Sequence, residues 1–187
     1  MAHDGYAGTM PAPHAGDLDY LIDRCGVKSV VEIGSFLGTS ATFFAKHYVI
    51  DWVVCIDPGR VVQDWWAPQV LEAGLPLDYE PLFRRNVEME GCSGKVSLLR
   101  GISAAVVDQA PVADMVYIDG DHTYEGCHSD IRLYLPKAGK VICGDDFHYD
   151  PEGNAYFPGV HQAVEELLPG FEFSPRIWWK FTEVAAG

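Results

Sequence analysis

Five short apolar runs alternate with helix-patterned stretches along this chain, and that alternation constrains the fold more than any other feature. Ser29–Ile33, Trp52–Asp57, Val96–Leu99, Asp114–Asp119 and Lys140–Asp145 are each four to six residues long and rich in Val, Ile, Leu and Cys. Runs of that length and composition read as buried strands. Helical spacing of apolar residues appears between them, at Thr39–Tyr48, Leu82–Glu90, Ser103–Asp108 and Tyr124–Leu135, the last stopped by Pro136. Further helices are expected over Asp17–Cys25, around Gln69–Ala73, and over Val160–Leu168. Strands joined by helices imply right-handed crossovers and hence an α/β, doubly wound, mostly parallel sheet. The two last β-like runs, Phe171–Ser174 and Ile177–Thr182, lie too close together for a crossover and should form an antiparallel hairpin at one sheet edge. Trp178 and Trp179 on the final run read as core or interface residues, and a flat edge bearing them would suit a homodimer.

At 187 residues the chain fits one domain, with 48% hydrophobic and 21% charged residues, ordinary for a globular protein. Residues 1–16, rich in Gly, Pro, Ala and His, are expected to form a flexible arm, and 17–187 the domain. The net charge of −14 argues against a nucleic-acid partner, which calls for a basic face. Five scattered cysteines without C-x-x-C spacing point to buried thiols in a reducing cytoplasm. No apolar run is long enough to span a membrane, and the first residues lack the pattern of a secretory signal.

Chemistry concentrates where the strands end. Asp119 closes Met115-Val-Tyr-Ile-Asp119 and is followed by Gly120, Asp121 and His122; twenty-six residues later Val141-Ile-Cys-Gly-Asp-Asp146 repeats the arrangement. Open α/β sheets build sites at this carboxyl edge. A glycine turn, Glu32-Ile-Gly-Ser-Phe-Leu-Gly-Thr-Ser40, joins the first strand to its helix. Its G-x-x-x-G spacing is not the dinucleotide fingerprint, and Glu32 would repel a pyrophosphate. Asp57, twenty-five residues after Glu32, is placed to accept hydrogen bonds from a ribose diol. A ligand with a ribose, no phosphates and a cationic group near Glu32 matches S-adenosylmethionine.

Val31-Glu-Ile-Gly-Ser-Phe-Leu-Gly-Thr-Ser40, Ile56-Asp57, Tyr117-Ile-Asp-Gly-Asp-His-Thr-Tyr-Glu125 and Gly144-Asp-Asp-Phe147 together resemble class I S-adenosylmethionine-dependent methyltransferases. The Ile-Asp-Gly-Asp-His and Gly-Asp-Asp elements are similar to a subgroup that includes sugar and macrolide O-methyltransferases. The resemblance covers roughly residues 28–168 and implies a Rossmann-like sheet of seven strands, one of them antiparallel. It also implies that Glu32, Gly34, Ser35, Gly38, Ser40 and Asp57 hold the cofactor, with Ser103 near the adenine, where relatives often carry an acid. Asp119 is counted with this cofactor set.

Three carboxylates converging at Asp119, Asp145 and Asp146 would repel one another unless a cation is bound or protons are shared. Hard oxygen ligands suit Mg²⁺ or another hard divalent cation, and these positions match the metal ligands of the resembling enzymes, although catechol-type relatives have Asn as the last. No Cys or His joins them at spacing that would favour zinc. His122 stands where sugar-type relatives carry histidine and catechol-type relatives lysine, and with a pKa near 6.5 it is the expected proton acceptor. Asp121 is expected either to bond His122 or to cap the following helix. Two irregular segments, Pro58–Glu80 with Trp65 and Trp66, and Phe147–Gly159 with His148, Tyr149, Tyr156 and Phe157, should cover the pocket.

The expected activity is therefore metal-assisted O-methylation of a small hydroxylated acceptor: a sugar, a natural product or a catechol-like molecule. The alternatives are a metal-independent methyltransferase and a non-catalytic binder of S-adenosylmethionine; an NAD-dependent oxidoreductase fits least.

Overall fold

The apolar runs form strands because both of their faces are covered. Along β1 (Ser29–Ile33) and β4 (Ala113–Ile118), successive residues are buried without a break from Val30 to Ile33 and from Met115 to Ile118. Alternate side chains go to opposite sides. Val30, Met115 and Tyr117 join one core with α1 (Ala12–Cys25), α2 (Thr39–Lys46) and α4 (Glu80–Met89). Val31, Ile33, Val116 and Ile118 join another with α5 (Ser103–Val106), α6 (Tyr124–Tyr134) and α7 (Pro158–Leu167). A small third cluster gathers around α3 (Ala67–Glu72), where Leu37, Val70, Leu75 and Tyr79 pack together.

A computed structural model of the chain describes residues 12–182. The remaining strands are β2 (Trp52–Asp57), β3 (Val96–Arg100), β5 (Ala138–Gly144), β6 (Glu172–Phe173) and β7 (Trp178–Phe181). Together they make one seven-stranded sheet in the order β3-β2-β1-β4-β5-β7-β6. The first five strands are parallel to their neighbours, and β7 is antiparallel to both β5 and β6. This is the expected doubly wound, Rossmann-like sheet with an antiparallel C-terminal hairpin.

Two expectations need correction. The first helix begins at Ala12, so the last five residues assigned to a flexible arm are helical; residues 1–11 lie outside the described residues. Trp178 and Trp179 do not mark a free edge, because β6 lies outside β7 and both indoles are buried.

Register decides which loops meet. Ile33 pairs with Ile118, and Ile118 with Gly144, so the residues that follow, Gly34, Asp119 and Asp145, emerge side by side at the carboxyl edge. Asp119 and Asp145 thus stand one residue beyond their strands rather than on them. Strand order reverses between β1 and β4, which opens a crevice between the loops that follow them.

Candidate active site

The crevice is narrowest at Gly34. Its backbone has φ +87°, and a Cβ there would lie 2.1 Å from the carbonyl oxygen of Asp119, so only glycine fits. The Asp119 N–H donates to the Ile33 carbonyl at 2.8 Å and fixes this approach. Around it opens a cavity of about 880 Å³ whose wall includes Gly34, Asp57, Ser103, Asp119, His122 and Asp130.

At one end stands Asp57. Its Oδ1 accepts from the Gly59 N–H at 2.6 Å and the Tyr79 hydroxyl at 2.9 Å, and its Oδ2 from the Phe36 N–H at 2.9 Å. Burial raises its pKa, and these donors oppose the rise. Phe36 makes its bond from φ +42°, an uncommon conformation for a bulky residue, with its ring packed against Trp66 and Tyr79. Strain of this kind persists only where the surroundings enforce it, and here the Asp57 bond and two aromatic rings do so.

Other residues of the expected cofactor set lie off the cavity wall. Glu32 is completely buried under the turn, its Oε2 accepting from the Cys55 thiol at 3.2 Å. Burial raises its pKa, opposed by the nearby Ser35, Ser40 and Cys55 side chains. Ser35 and Ser40 are likewise buried. Gly38 faces Phe83 of α4, where a Cβ would lie 3.2 Å from the ring, so its bareness serves helix packing. These residues set the shape of the turn; Gly34, Asp57, Ser103 and Asp119 are the members that reach the cavity. Ser103 donates its hydroxyl to Asp130 Oδ1, and its carbonyl accepts from the Tyr134 hydroxyl at 2.8 Å.

At the other end the charges interlock. His122 Nε2 is 3.0 Å from Asp146 Oδ2 and 3.7 Å from Asp119 Oδ1. Asp146 reaches it from a left-handed conformation, φ +68°, which aspartate tolerates better than most residues. Burial alone would lower the pKa of His122, but the two carboxylates outweigh it and hold the imidazole up to about 10. Burial, with the Asp145 and Asp146 charges, pushes Asp119 up to about 7, against the pull of His122. The expected imidazole with an ordinary pKa is thus replaced by an imidazolium tied to two acids, and the group titrates as a unit.

The expected triad of acids divides. Asp119, Asp146 and His122 can present three ligand atoms within 4.8 Å of one another. Asp145 turns away: its Oδ1 lies 3.3 Å from Arg176 Nε and its Oδ2 3.8 Å from His14 Nδ1. Arg176 also reaches Asp146 Oδ1, at 3.5 Å. Asp119, His122, Asp145 and Asp146 nevertheless line one small pocket together. Asp121 proves to be a turn residue, its Oδ1 accepting from the Thr123 N–H at 2.9 Å, while Thr123 caps α6 by accepting from the Gly126 N–H at 3.1 Å.

Both irregular segments contribute wall: Trp65, Trp66 and Tyr79 from one, Phe157 from the other. The Phe157 ring meets the His122 ring edge to face, centroids 4.8 Å apart. His148 stacks on Tyr156 and is not on the wall. Sequence reasoning missed Tyr79, Asp130 and Arg176. Asp130 had a legible signal, because it interrupts the apolar stripe Cys127, Ile131, Tyr134 of α6.

The chain matches the family model described as "Methyltransferase domain" over residues 31–147. An uncharacterized protein of Acanthamoeba polyphaga mimivirus is 26% identical over 156 residues, covering 78% of this chain and 62% of that relative, so the chain spans less than two thirds of its length. Among solved structures, cofactor-bound Rv0187 from MTB superposes with TM-score 0.65 at 17% identity, covering 91% of this chain and 79% of that one. The O-methyltransferase from Bacillus cereus in complex with SAH gives 0.64 at 17%, covering 97% and 84%. TomG from Streptomyces achromogenes, an O-methyltransferase of tomaymycin synthesis in complex with SAM, gives 0.60 at 17%, covering 91% and 79%. At these identities the structural likeness is one of fold.

Proposed function

The chain belongs to the methyltransferase-domain family, and from that premise we propose that it transfers a methyl group from S-adenosylmethionine to a hydroxyl oxygen of a small acceptor. One observation carries the reading: a single cavity of about 880 Å³ runs across the strand-order switch and has both Asp57 and His122 on its wall. The first suits a ribose and the second a reacting hydroxyl. That related folds are solved with SAM or SAH bound supports the choice of cofactor.

In this reading the acceptor oxygen attacks the methyl carbon in line. The O–CH₃ bond forms as the S–CH₃ bond breaks, and S-adenosylhomocysteine leaves as a neutral thioether. The hydroxyl proton passes to the Asp119–His122 unit, whose Asp119 has a proton affinity near neutrality. Holding both reactants at attack distance supplies much of the acceleration. Phe157, against His122, limits water at the reacting end.

Asp119, Asp146 and His122 fit a divalent cation by donor chemistry; the mixed oxygen and nitrogen set admits Mn²⁺ or Zn²⁺ as well as Mg²⁺. Such an ion would acidify a coordinated hydroxyl. A metal-free version of the same reaction is favoured by Arg176 and His122, which already set positive charge beside all three acids.

The acceptor is a sugar, a natural product or a catechol-like molecule. The setting proposed is cytoplasmic: all five cysteines are free, and no described helix is long and apolar enough to cross a membrane. The test is transfer of labelled methyl from S-adenosylmethionine across these acceptor classes, with Mg²⁺ and with EDTA, beside calorimetry with S-adenosylmethionine and NAD. S-adenosylmethionine should bind and NAD should not. Tight NAD binding overturns the reading.

A further inference from the structure

Arg176 belongs to none of the loops that form the crevice, yet it holds two of their acids. It lies in the turn between β6 and β7, and that turn is latched in place. The Ser174 N–H donates to the Ile177 carbonyl at 2.8 Å, and the Ser174 hydroxyl to Asp17 of α1 at 2.6 Å. The Phe147 N–H donates to the Arg176 carbonyl at 2.9 Å, and Trp178 Nε1 to the Asp145 carbonyl at 3.2 Å. Ile177 and Trp178 are completely buried. The turn is thus pinned to the residues that follow β5, and the guanidinium is delivered to a fixed place beside them.

Its fork spans both acids, with Nε 3.3 Å from Asp145 Oδ1 and a terminal nitrogen 3.5 Å from Asp146 Oδ1. Asp146 Oδ2 is taken by His122, so each oxygen of Asp146 faces a cation. An arginine keeps its charge at any pH the protein meets, and its planar fork matches carboxylate oxygens. Arg176 lies on the wall neither of the large cavity nor of the small pocket that the acids share with His122. It therefore neutralises Asp145 and Asp146 without filling the space in front of them. That is the electrostatic task a divalent ion would perform on the same carboxylates.

We propose that Arg176 is a resident counter-cation that stands in for a divalent ion at this acid cluster and holds down the cluster's affinity for one. It reaches His122 only through Asp146, and so is a positioning residue. The inference rests on the methyltransferase reading for its place in a reaction, and deepens it by naming what neutralises the acids beside the proton acceptor. A doubly charged ion on Asp146 would meet a fixed like charge a carboxylate's width away, where repulsion is strong even with partial screening. Removing Arg176 lifts that repulsion and frees Asp146 Oδ1 for coordination.

The experiment is calorimetric titration of the full chain with Mn²⁺, in the absence of cofactor and acceptor. Arg176→Gln should bind Mn²⁺ at least about tenfold more tightly than the wild-type protein. Arg176→Lys keeps the charge and should stay within about threefold of the wild type. Adding Asp146→Asn to Arg176→Gln should abolish the gain, which locates the ion on that acid. Unchanged or weaker Mn²⁺ binding in a folded Arg176→Gln, or an equal gain in Arg176→Lys, overturns the assignment. Should Arg176→Gln not fold, the wild type and Arg176→Lys carry the test: Kd for Mn²⁺ should be weaker than about 100 μM in both, and tighter binding in either overturns it. Failure to bind S-adenosylmethionine would overturn the methyltransferase reading and leave the exchange of Arg176 for Mn²⁺ standing, so the two fail separately.

Discussion

Asp57 and Asp146 are both buried acids just beyond or at the end of a strand, yet the chain stabilises them in opposite ways. Asp57 is held by neutral donors: two backbone N–H groups and a tyrosine hydroxyl, with no cation among the described residues paired to it. Asp146 is held by cations, His122 at 3.0 Å and Arg176 at 3.5 Å. Neutral donors fix a carboxylate's direction while leaving its charge for a ligand to meet. Opposite charges cancel it and tie it to protonation. In the proposed reaction one end of the crevice therefore orients and the other exchanges protons.

The largest effect expected from breaking this contrast is at the proton-exchanging end. His122→Ala should lower turnover by ~10²-fold or more while leaving S-adenosylmethionine affinity within about twofold. Surviving turnover in single-turnover assays would move the proton acceptor elsewhere. Asp57→Ala should do the reverse: cofactor affinity falls about tenfold or more, and turnover at saturating cofactor stays near the original. A selective loss of kcat in that variant would erase the division of labour.

Arg176→Gln gives a smaller effect. Removing the guanidinium leaves the buried Asp146 and the half-buried Asp145 without it, but its partial exposure screens the interaction, so a loss of about 1–2 kcal/mol is expected. That corresponds to a fall of several degrees in Tm in EDTA, and Mg²⁺ or Mn²⁺ should restore part of it if the acids accept a metal. No recovery across a metal titration would favour the metal-free reaction.

The last prediction concerns pH. His122 is held up to about 10 in the folded protein, above its ordinary 6.5. Its added stability is thus complete below pH 6.5 and fades as pH rises toward 10. Urea unfolding of the wild-type protein and His122→Gln should show the widest gap near pH 6 and converge only above about pH 10. A gap that widens with pH would mean that Asp119 and Asp146 do not charge the imidazole.

The sheet was legible because burial on both faces leaves its mark as unbroken apolar runs, and strand ends announce themselves when those runs stop at an acid. Asp57, Asp119 and His122 could be marked in this way. The contribution of Arg176 could not, since it comes from the β6–β7 hairpin, and only the antiparallel placement of β7 beside β5 brings it to Asp145. Tyr79 is hidden similarly, in a segment without periodicity that folds back over Asp57. Glu32 is the converse case. Its place in the turn motif suggested a ligand contact, but the last strand positions before a turn still point into the sheet's covered faces, and Glu32 points beneath the turn. Ordinary pKa reasoning for His122 failed because the distance to Asp146 is a tertiary fact.

Gly34 touches both halves of this division. Its bare Cα lies against the Asp119 carbonyl with no room for a methyl group, and the Ile33–Asp119 hydrogen bond clamps the two backbones together. A loop that binds and a loop that reacts are thus hinged on one atom-wide contact, like two gears meshed at a single tooth. In the proposed reaction, a substitution that moved the β1 turn would press on the Asp119 carbonyl as well. The position of the Asp119 carbonyl is thereby tied to the conformation of the β1 turn.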